Sequence, residues 1–263
     1  MERAATTPPE TVPTVEFAPR FTIQLHGVSL FLNGAFITFE GIDGSGKSTQ
    51  VRMLASVLRL RGMDVVQTRE PGGTPLGARL REALLDAQEQ VDPLAELLLY
   101  AADRAQHVRM LLNPALAAGR VVLSDRYADA TVAYQGAGRG FEPSLVAQVI
   151  ALATGGLKPD LTLLFDLSVA ESGARSRSRT TNADGAPSDR LELEAENFHA
   201  RVREAYLQIA AAEPERMRIV DASLSVEEIH ARVLEIVVPF LESRGQWAAT
   251  NAPQKSSPPA FRP

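Results

Sequence analysis

The chain has 263 residues, 45 % apolar and 22 % charged, which is enough to bury a sizeable core in one large or two small domains. Its 27 Lys and Arg against 32 Asp and Glu leave a formal charge of −5, which disfavours general nucleic-acid binding, so any phosphate chemistry needs a local cluster of cations. The absence of cysteine excludes disulfides, thiol catalysis and cysteine-ligated zinc, and no apolar run is long enough to span a bilayer; the expectation is a soluble, cytoplasmic protein.

In chain order, residues 1–20 hold four prolines and several threonines and read as disordered. Residues 21–34 are more apolar and either add an edge strand or lie outside the fold, so residues 1–34 form an N-terminal extension. Strand candidates follow at 35–40 (AFITFE), 64–68 (DVVQT), 120–124 (RVVLS), 161–166 (LTLLFD) and 216–221 (RMRIVD). Helical patterns lie between them near 47–61, 76–87, 92–118, 143–154, 168–179, 190–212 and 225–242. The last opens with Ser225 and has Glu228 three residues on, the pattern of a capping box. Strands that are apolar throughout and separated by helices predict an α/β fold with a parallel sheet covered on both faces. Residues 244–263 are a second polar, proline-rich tail, which leaves 35–243 as the folded domain. The four histidines, His26, His107, His199 and His230, show no close metal-ligand spacing.

The first strand runs directly into Gly41-Ile42-Asp43-Gly44-Ser45-Gly46-Lys47-Ser48, with Thr49 behind it, and a helical stretch follows. This is the G-x-x-x-x-G-K-[ST] pattern in the strand–loop–helix context that its chemistry needs. Glycines let the backbone curl around an anion, and the unpaired N–H groups at the helix start face it. Lys47 can then reach the β- and γ-phosphates of a nucleotide, and Ser48 can offer a hydroxyl to Mg²⁺. The glycine-rich 136–140 (GAGRG) follows no predicted strand and reads as a flexible loop near the substrate, with Arg139 facing phosphate.

A phosphate loop serves GTPases, ATPases and small-molecule kinases alike. The N-K-x-D signature of guanine readers is absent from the chain. A small-molecule kinase needs a second anion pocket and a cationic cover. Candidate cations are Arg69, Arg79 and Arg81 after the second strand, Arg104 beside Asp103 in a helix, and Arg126 beside Asp125 at the end of the third strand. The segment 174–179 (ARSRSR) adds Arg175, Arg177 and Arg179 where a lid would move. Blander roles compete: Asp103 and Arg104 as an exposed helix pair, Tyr100 as core, the 174–179 arginines as a solvated face. Asp125 either acts on Mg²⁺ through water or only orients Arg126. Kinases of other nucleoside monophosphates or of deoxynucleosides, and a nucleotide-switched ATPase, remain as rivals.

Four stretches in this order, FITFEGIDGSGKSTQ, TREPGGTPLG, DRYADATVAYQGAGRG and KPDLTLLFDLS, resemble the bacterial thymidylate kinase family over about residues 35–240. The resemblance implies a three-layer P-loop nucleoside monophosphate kinase fold with a five-stranded parallel sheet, a mobile arginine-bearing lid and a homodimer. It implies ATP-dependent, Mg²⁺-dependent phosphorylation of dTMP to dTDP in dTTP biosynthesis. Carried onto this chain, it assigns Arg81 and Arg126 to the dTMP phosphate, Arg104 to the thymine edge and Tyr100 to stacking on the ring. Thr131 and Gln135 add polar contacts to the base, and Tyr134 packs beside the deoxyribose. Asp43 contacts the sugar 3′-hydroxyl or a metal-bound water, while Glu70 and Pro71 shape the acceptor site. With Gly44 and no arginine in the loop, the catalytic arginine is expected in the lid, among Arg175, Arg177 and Arg179. The polar insert 180–189 is longer than the family pattern leads one to expect.

Overall fold

A computed structural model of the chain describes residues 22–25, 28–31, 34–86, 90–181, 190–191 and 194–247, with side chains omitted at 22–25, 28–31 and 179–181. The two tails and most of the insert expected at 180–189 lie outside the described residues. The lead-in forms β1 (Thr22–Leu25) and β2 (Val28–Phe31), which pair antiparallel with each other. They do not join the main sheet, so the expected edge strand is a separate hairpin.

The main sheet contains β3 (Ala35–Glu40), β4 (Val65–Arg69), β5 (Val121–Asp125), β6 (Leu161–Asp166) and β7 (Met217–Asp221). All pairs are parallel, in the order β4-β5-β3-β6-β7. Each strand begins within one residue of its sequence expectation. The runs were legible because β3, β5 and β6 are buried on both faces along nearly their whole length. Helices cover both faces: α1 (Lys47–Leu60), α2 (Pro75–Leu85), α3 (Pro93–His107), α4 (Asn113–Ala117), α5 (Ala128–Thr131), α6 (Pro143–Thr154), α7 (Val169–Thr181), α8 (Glu196–Ala212) and α9 (Val226–Ser243).

Alternation along β3 sorts the layers. Ala35, Ile37 and Phe39 join a core with Leu54 and Leu58 of α1 and with Ile229, Val233, Val237 and Leu241 of α9. Phe36 packs on the other face with Val122 and Tyr127. Thr38 and Glu40 share that second face, and the Thr38 hydroxyl meets that of Thr162 at 2.7 Å.

Three expectations are corrected. The stretch 92–118 is α3, then a π-helical turn over Val108–Leu112, then α4. The helix expected from 190 starts at Glu196, because Arg190 turns back and donates its N–H to Leu85 O. The glycine-rich 136–140 is not a free loop: a π-helical segment spans Val132–Gly138, and Arg139 pairs with Glu96 at 2.9 Å and Glu194 at 2.6 Å instead of facing a phosphate.

The connection after β3 runs to one side of the sheet and the one after β5 crosses to the other. A crevice therefore opens at the carboxyl ends of these neighbouring strands. At the rim of this crevice α9 is capped as its sequence predicts: Ser225 Oγ accepts from Glu228 N–H while the Glu228 carboxylate accepts from Ser225 N–H. Ser225→Ala should lower unfolding stability by about 1 kcal/mol. Leu54→Ala, in the fully buried core, should lower it by about 3 kcal/mol. Urea denaturation of both variants checks the ranking.

Candidate active site

The phosphate-type loop closes β3 onto α1. Gly44 and Gly46 take left-handed φ values of 75° and 87°, which side chains rarely adopt, and Gly46 is the N-cap of α1. Gly41 serves a different end: a Cβ there would lie 2.4 Å from Phe165 O, so its role is close approach to β6. Ile42 is buried in the core. Asp43, Gly44, Ser45, Gly46, Lys47, Ser48 and Thr49 line a cavity of about 600 Å³, within the range of small-molecule sites, whereas Gly41 and Ile42 back it. The Lys47 ammonium donates to Ile42 O at 2.8 Å and Ser45 Oγ at 3.3 Å. Burial, then Arg126, pushes it down to about 8 despite Asp43 and Asp125. Ser48 Oγ donates to Asp125 Oδ2 at 2.5 Å at the edge of the same cavity.

A second, tighter cavity of about 70 Å³ adjoins the first. The residues singled out from sequence all line it: Glu70, Pro71, Arg81, Tyr100, Arg104, Arg126, Thr131, Tyr134 and Gln135, with Asp43 at its junction with the loop. They come from the β4–α2 turn, α2, α3, the end of β5, α5 and the π-helical segment that follows. Arg81 and Arg126 border both cavities. Arg79, two residues before Arg81 and so turned to another face of α2, is exposed and lines neither.

Arg126 is the hinge of the arrangement. It has φ 72°, unusual for a residue with a side chain, and its N–H donates to Phe39 O at 2.9 Å. Its Nη2 donates to Asp43 Oδ1 at 2.7 Å and to Tyr134 Oη at 3.0 Å, and the guanidinium carbon lies 4.8 Å from the Tyr134 ring centre. Burial alone would raise Asp43, but Arg126 and then Lys47 override it and hold the carboxyl well below the ordinary range. Glu40, one residue beyond Phe39 on β3, is fully buried. It accepts from Tyr127 N–H and from the Tyr206 hydroxyl, each at 2.7 Å.

Asp103 and Arg104 are not an exposed pair; both are buried. Arg104 donates from Nε to Glu70 Oε2 at 2.7 Å, from Nη1 to Thr131 Oγ1 at 2.8 Å and from Nη2 to Tyr127 O at 2.9 Å. Those bonds spend three of its five N–H donors and fix the plane of the fork. Glu70 also meets His107 Nδ1 at 2.8 Å. Burial followed by Glu70 pushes Asp103 up to about 6, and its Oδ2 is buried without a partner. Gln135 donates from Nε2 to Glu96 Oε1 at 2.8 Å, which turns its amide oxygen the other way. Glu96 also collects Arg139 and Arg190, so the second cavity is braced from behind by one buried carboxylate.

Of the arginines on α7, Arg175 lines the larger cavity and donates to Ala222 O at 2.8 Å. Arg177 is exposed and is not among the lining residues. The side chain of Arg179 lies outside the described residues. The Ser172 hydroxyl donates to Asp43 O at 2.6 Å and ties α7 to the loop. Sequence reasoning did not single out Leu85, Tyr127, Ala130 and Leu191 of the inner cavity, or Leu224, Val226 and Ile229 of the outer one. Tyr127 and Ala130 lie within the DRYADATVAYQGAGRG stretch without a role read for them, and the others carry no motif, so only the fold gathers them. No described helix is long and apolar enough to cross a membrane.

The comparisons with known proteins agree with this geometry. A family model described as thymidylate kinase matches residues 39–233. A thymidylate kinase of Geotalea uraniireducens (strain Rf4) is 50 % identical over 206 residues, 78 % of this chain and 97 % of the relative. One from Deinococcus radiodurans is 50 % identical over 200 residues, 76 % of this chain and 94 % of the relative. A crystal structure of thymidylate kinase from Ehrlichia chaffeensis superposes with a TM-score of 0.63 at 34 % identity, covering 78 % of this chain and 98 % of that one. With the phosphate loop, the arginine-lined second cavity and the sheet order all in the matched region, the chain belongs to the thymidylate kinase family.

Proposed function

We propose that this enzyme transfers the γ-phosphoryl group of ATP to dTMP, giving ADP and dTDP, a step of dTTP biosynthesis. The observation that carries this assignment is the pair of adjoining cavities bridged by Arg81 and Arg126, one walled by the phosphate loop and the other by Arg104, Tyr100 and Gln135. The loop amides, Lys47 and the N-terminus of α1 hold the donor's phosphates. Arg81 and Arg126 hold the acceptor phosphate, each with a planar fork suited to paired bonds to oxygen. To do so Arg126 trades part of its contact with Asp43, which frees that carboxylate to face the sugar 3′-hydroxyl.

The base end follows from donor and acceptor directions. Arg104 has N–H donors to spare for a thymine carbonyl. Gln135, its nitrogen committed to Glu96, offers an oxygen to a ring N–H. Tyr100 stacks on the ring, Thr131 adds a polar contact, and Tyr134, packed on Arg126, sits where it disfavours a 2′-hydroxyl. Glu70 and Pro71 shape this pocket. Transfer is in line and without a covalent intermediate; the protein positions two anions and offsets their repulsion. Arg175 is the lid cation that faces the donor side, ahead of Arg177 and Arg179.

Ser48 and Asp125 present only oxygen atoms at the edge of the donor cavity, which suits a hard cation, and they would hold Mg²⁺. Magnesium held there would offset the negative charge of the phosphates. The chain also acts as a homodimer in the cytoplasm. Exposed Leu94 and Leu98 on α3 and Leu145 and Leu152 on the adjoining α6 support a partner there.

Three measurements check these assignments. Purified enzyme with ATP and Mg²⁺, offered dTMP, dUMP, dCMP, AMP and thymidine in turn, should release ADP rapidly with dTMP alone, and EDTA should stop it. Equal release with every acceptor would mean a nucleotide-switched hydrolase. Arg126→Ala should raise KM for dTMP about a hundredfold, the size of a lost charge-assisted contact, with KM for ATP within about threefold. Light scattering should give twice the mass of one chain, and Leu98→Glu should halve it.

A further inference from the structure

Glu40 is a fully buried carboxylate for which the phosphoryl transfer described above has no use. Its surroundings are specific. Oε1 accepts from Tyr127 N–H, the amide that directly follows Arg126. Oε2 accepts from the Tyr206 hydroxyl of α8, and the same phenol oxygen accepts from Arg126 Nη1 at 3.3 Å. The carbonyl between these two contacts is held as well, since Ser124 Oγ donates to Arg126 O at 2.8 Å. Both the backbone and the side chain of Arg126 are thereby referred to one carboxylate on the neighbouring strand.

On the reading that Arg126 holds the acceptor phosphate, we propose that Glu40 is the positioning residue that aims it, through the Tyr127 amide and the Tyr206 hydroxyl. The mechanism is directional. A phenol has one hydrogen. When Glu40 is ionised it takes that hydrogen, and a lone pair of Tyr206 is left facing the guanidinium. When Glu40 is neutral its own proton points at Tyr206, and the phenol hydrogen turns toward Arg126, donor against donor. The two arrangements place Arg126 differently with no change in packing.

The groups around Glu40 set which arrangement prevails. Asp129 presents a like charge from α5, while Arg126 from the end of β5, Lys47 from α1 and Arg104 from α3 present the opposite one. Burial, then Asp129, lifts the Glu40 carboxyl to about 8. Both forms are therefore within reach of neutral pH.

Glu40→Gln is the discriminating variant. The amide has the shape of the acid and keeps an acceptor for Tyr127 N–H, but it offers Tyr206 a permanent donor, as the neutral acid does. The ratio of its KM for dTMP to that of the wild type cancels the titration of the substrate itself. That ratio should be about twofold at pH 7 and about tenfold at pH 9, where the wild-type carboxylate is ionised, with KM for ATP unchanged at both. Tyr206→Phe, which removes the hydroxyl without changing shape, should raise KM for dTMP severalfold, and adding Glu40→Gln to it should raise it little further. It also stands in should the first variant fold poorly. A pH-independent ratio near one for Glu40→Gln, or a parallel rise in KM for both substrates, would overturn the positioning role. If Arg126→Ala itself leaves KM for dTMP unchanged, the assignment of the acceptor phosphate fails first. If Arg126→Ala raises it and Glu40→Gln and Tyr206→Phe do not, only the positioning role fails.

Discussion

The backbone of Arg126 carries more of this site than any motif does. β5 ends at Asp125, and the next residue must leave the sheet sharply enough to bring its side chain back over the phosphate loop. It does so with φ 72°, a conformation that is costly for a residue with a Cβ and persists only where its surroundings enforce it. The enforcement is visible. The Arg126 N–H is tied to Phe39 O, its carbonyl to Ser124 Oγ, and the following N–H to Glu40. Parallel pairing of β3 with β5 sets the register in which those partners meet, Phe39 opposite Asp125. Sheet order, local strain and the junction of the two cavities are thus one constraint seen at three scales.

Charge is handled differently in the two halves. On the loop side, Lys47 and Arg126 face Asp43 in a cavity open enough to admit a phosphate chain, and the pairing holds Asp43 ionised. On the base side, Arg104 is almost wholly buried and committed to Glu70, Thr131 and the Tyr127 carbonyl. A buried ion pair contributes little to stability once desolvation is counted, but losing one partner is severe. Its use here is orientation. The fork of Arg104 cannot rotate, so the donors it presents to the inner cavity point one way. Glu96 does the same for Gln135, with Arg139 and Arg190 holding the carboxylate in turn.

What the sequence made legible has a common cause. Five strands, the phosphate loop and the capping box of α9 are written in residues within a few positions of each other, through short apolar runs (continuously buried in β3, β5 and β6), glycine spacing and the Ser225–Glu228 pair. Most polar lining residues of the inner cavity were found through the family resemblance, its apolar ones were not, and the fold brings them into one place. What stayed hidden depends on distant partners. The hub role of Glu96, the reach of Arg139 to it and the late start of α8 all follow from contacts across 39 or more residues. Glycine-rich 136–140 reads locally as a loop, yet an aromatic partner fixes it: a Cβ on Gly138 would sit 2.6 Å from Phe198, so glycine there lets α8 pack closely against the π-helical segment.

The seat of α7 on the phosphate loop has a steric origin of the same kind. Gly44 sits at φ 75°, and a Cβ on it would lie 3.0 Å from Ser172 O and 3.4 Å from the Arg175 Cβ. Helix α7 therefore rests directly on the loop, and the Ser172 hydroxyl bonds Asp43 O across the contact. A side chain at position 44 would be strained by that backbone angle and crowded by α7, so the close contact favours glycine there. The same contact sets Arg175 of α7 beside the loop, where it lines the larger cavity.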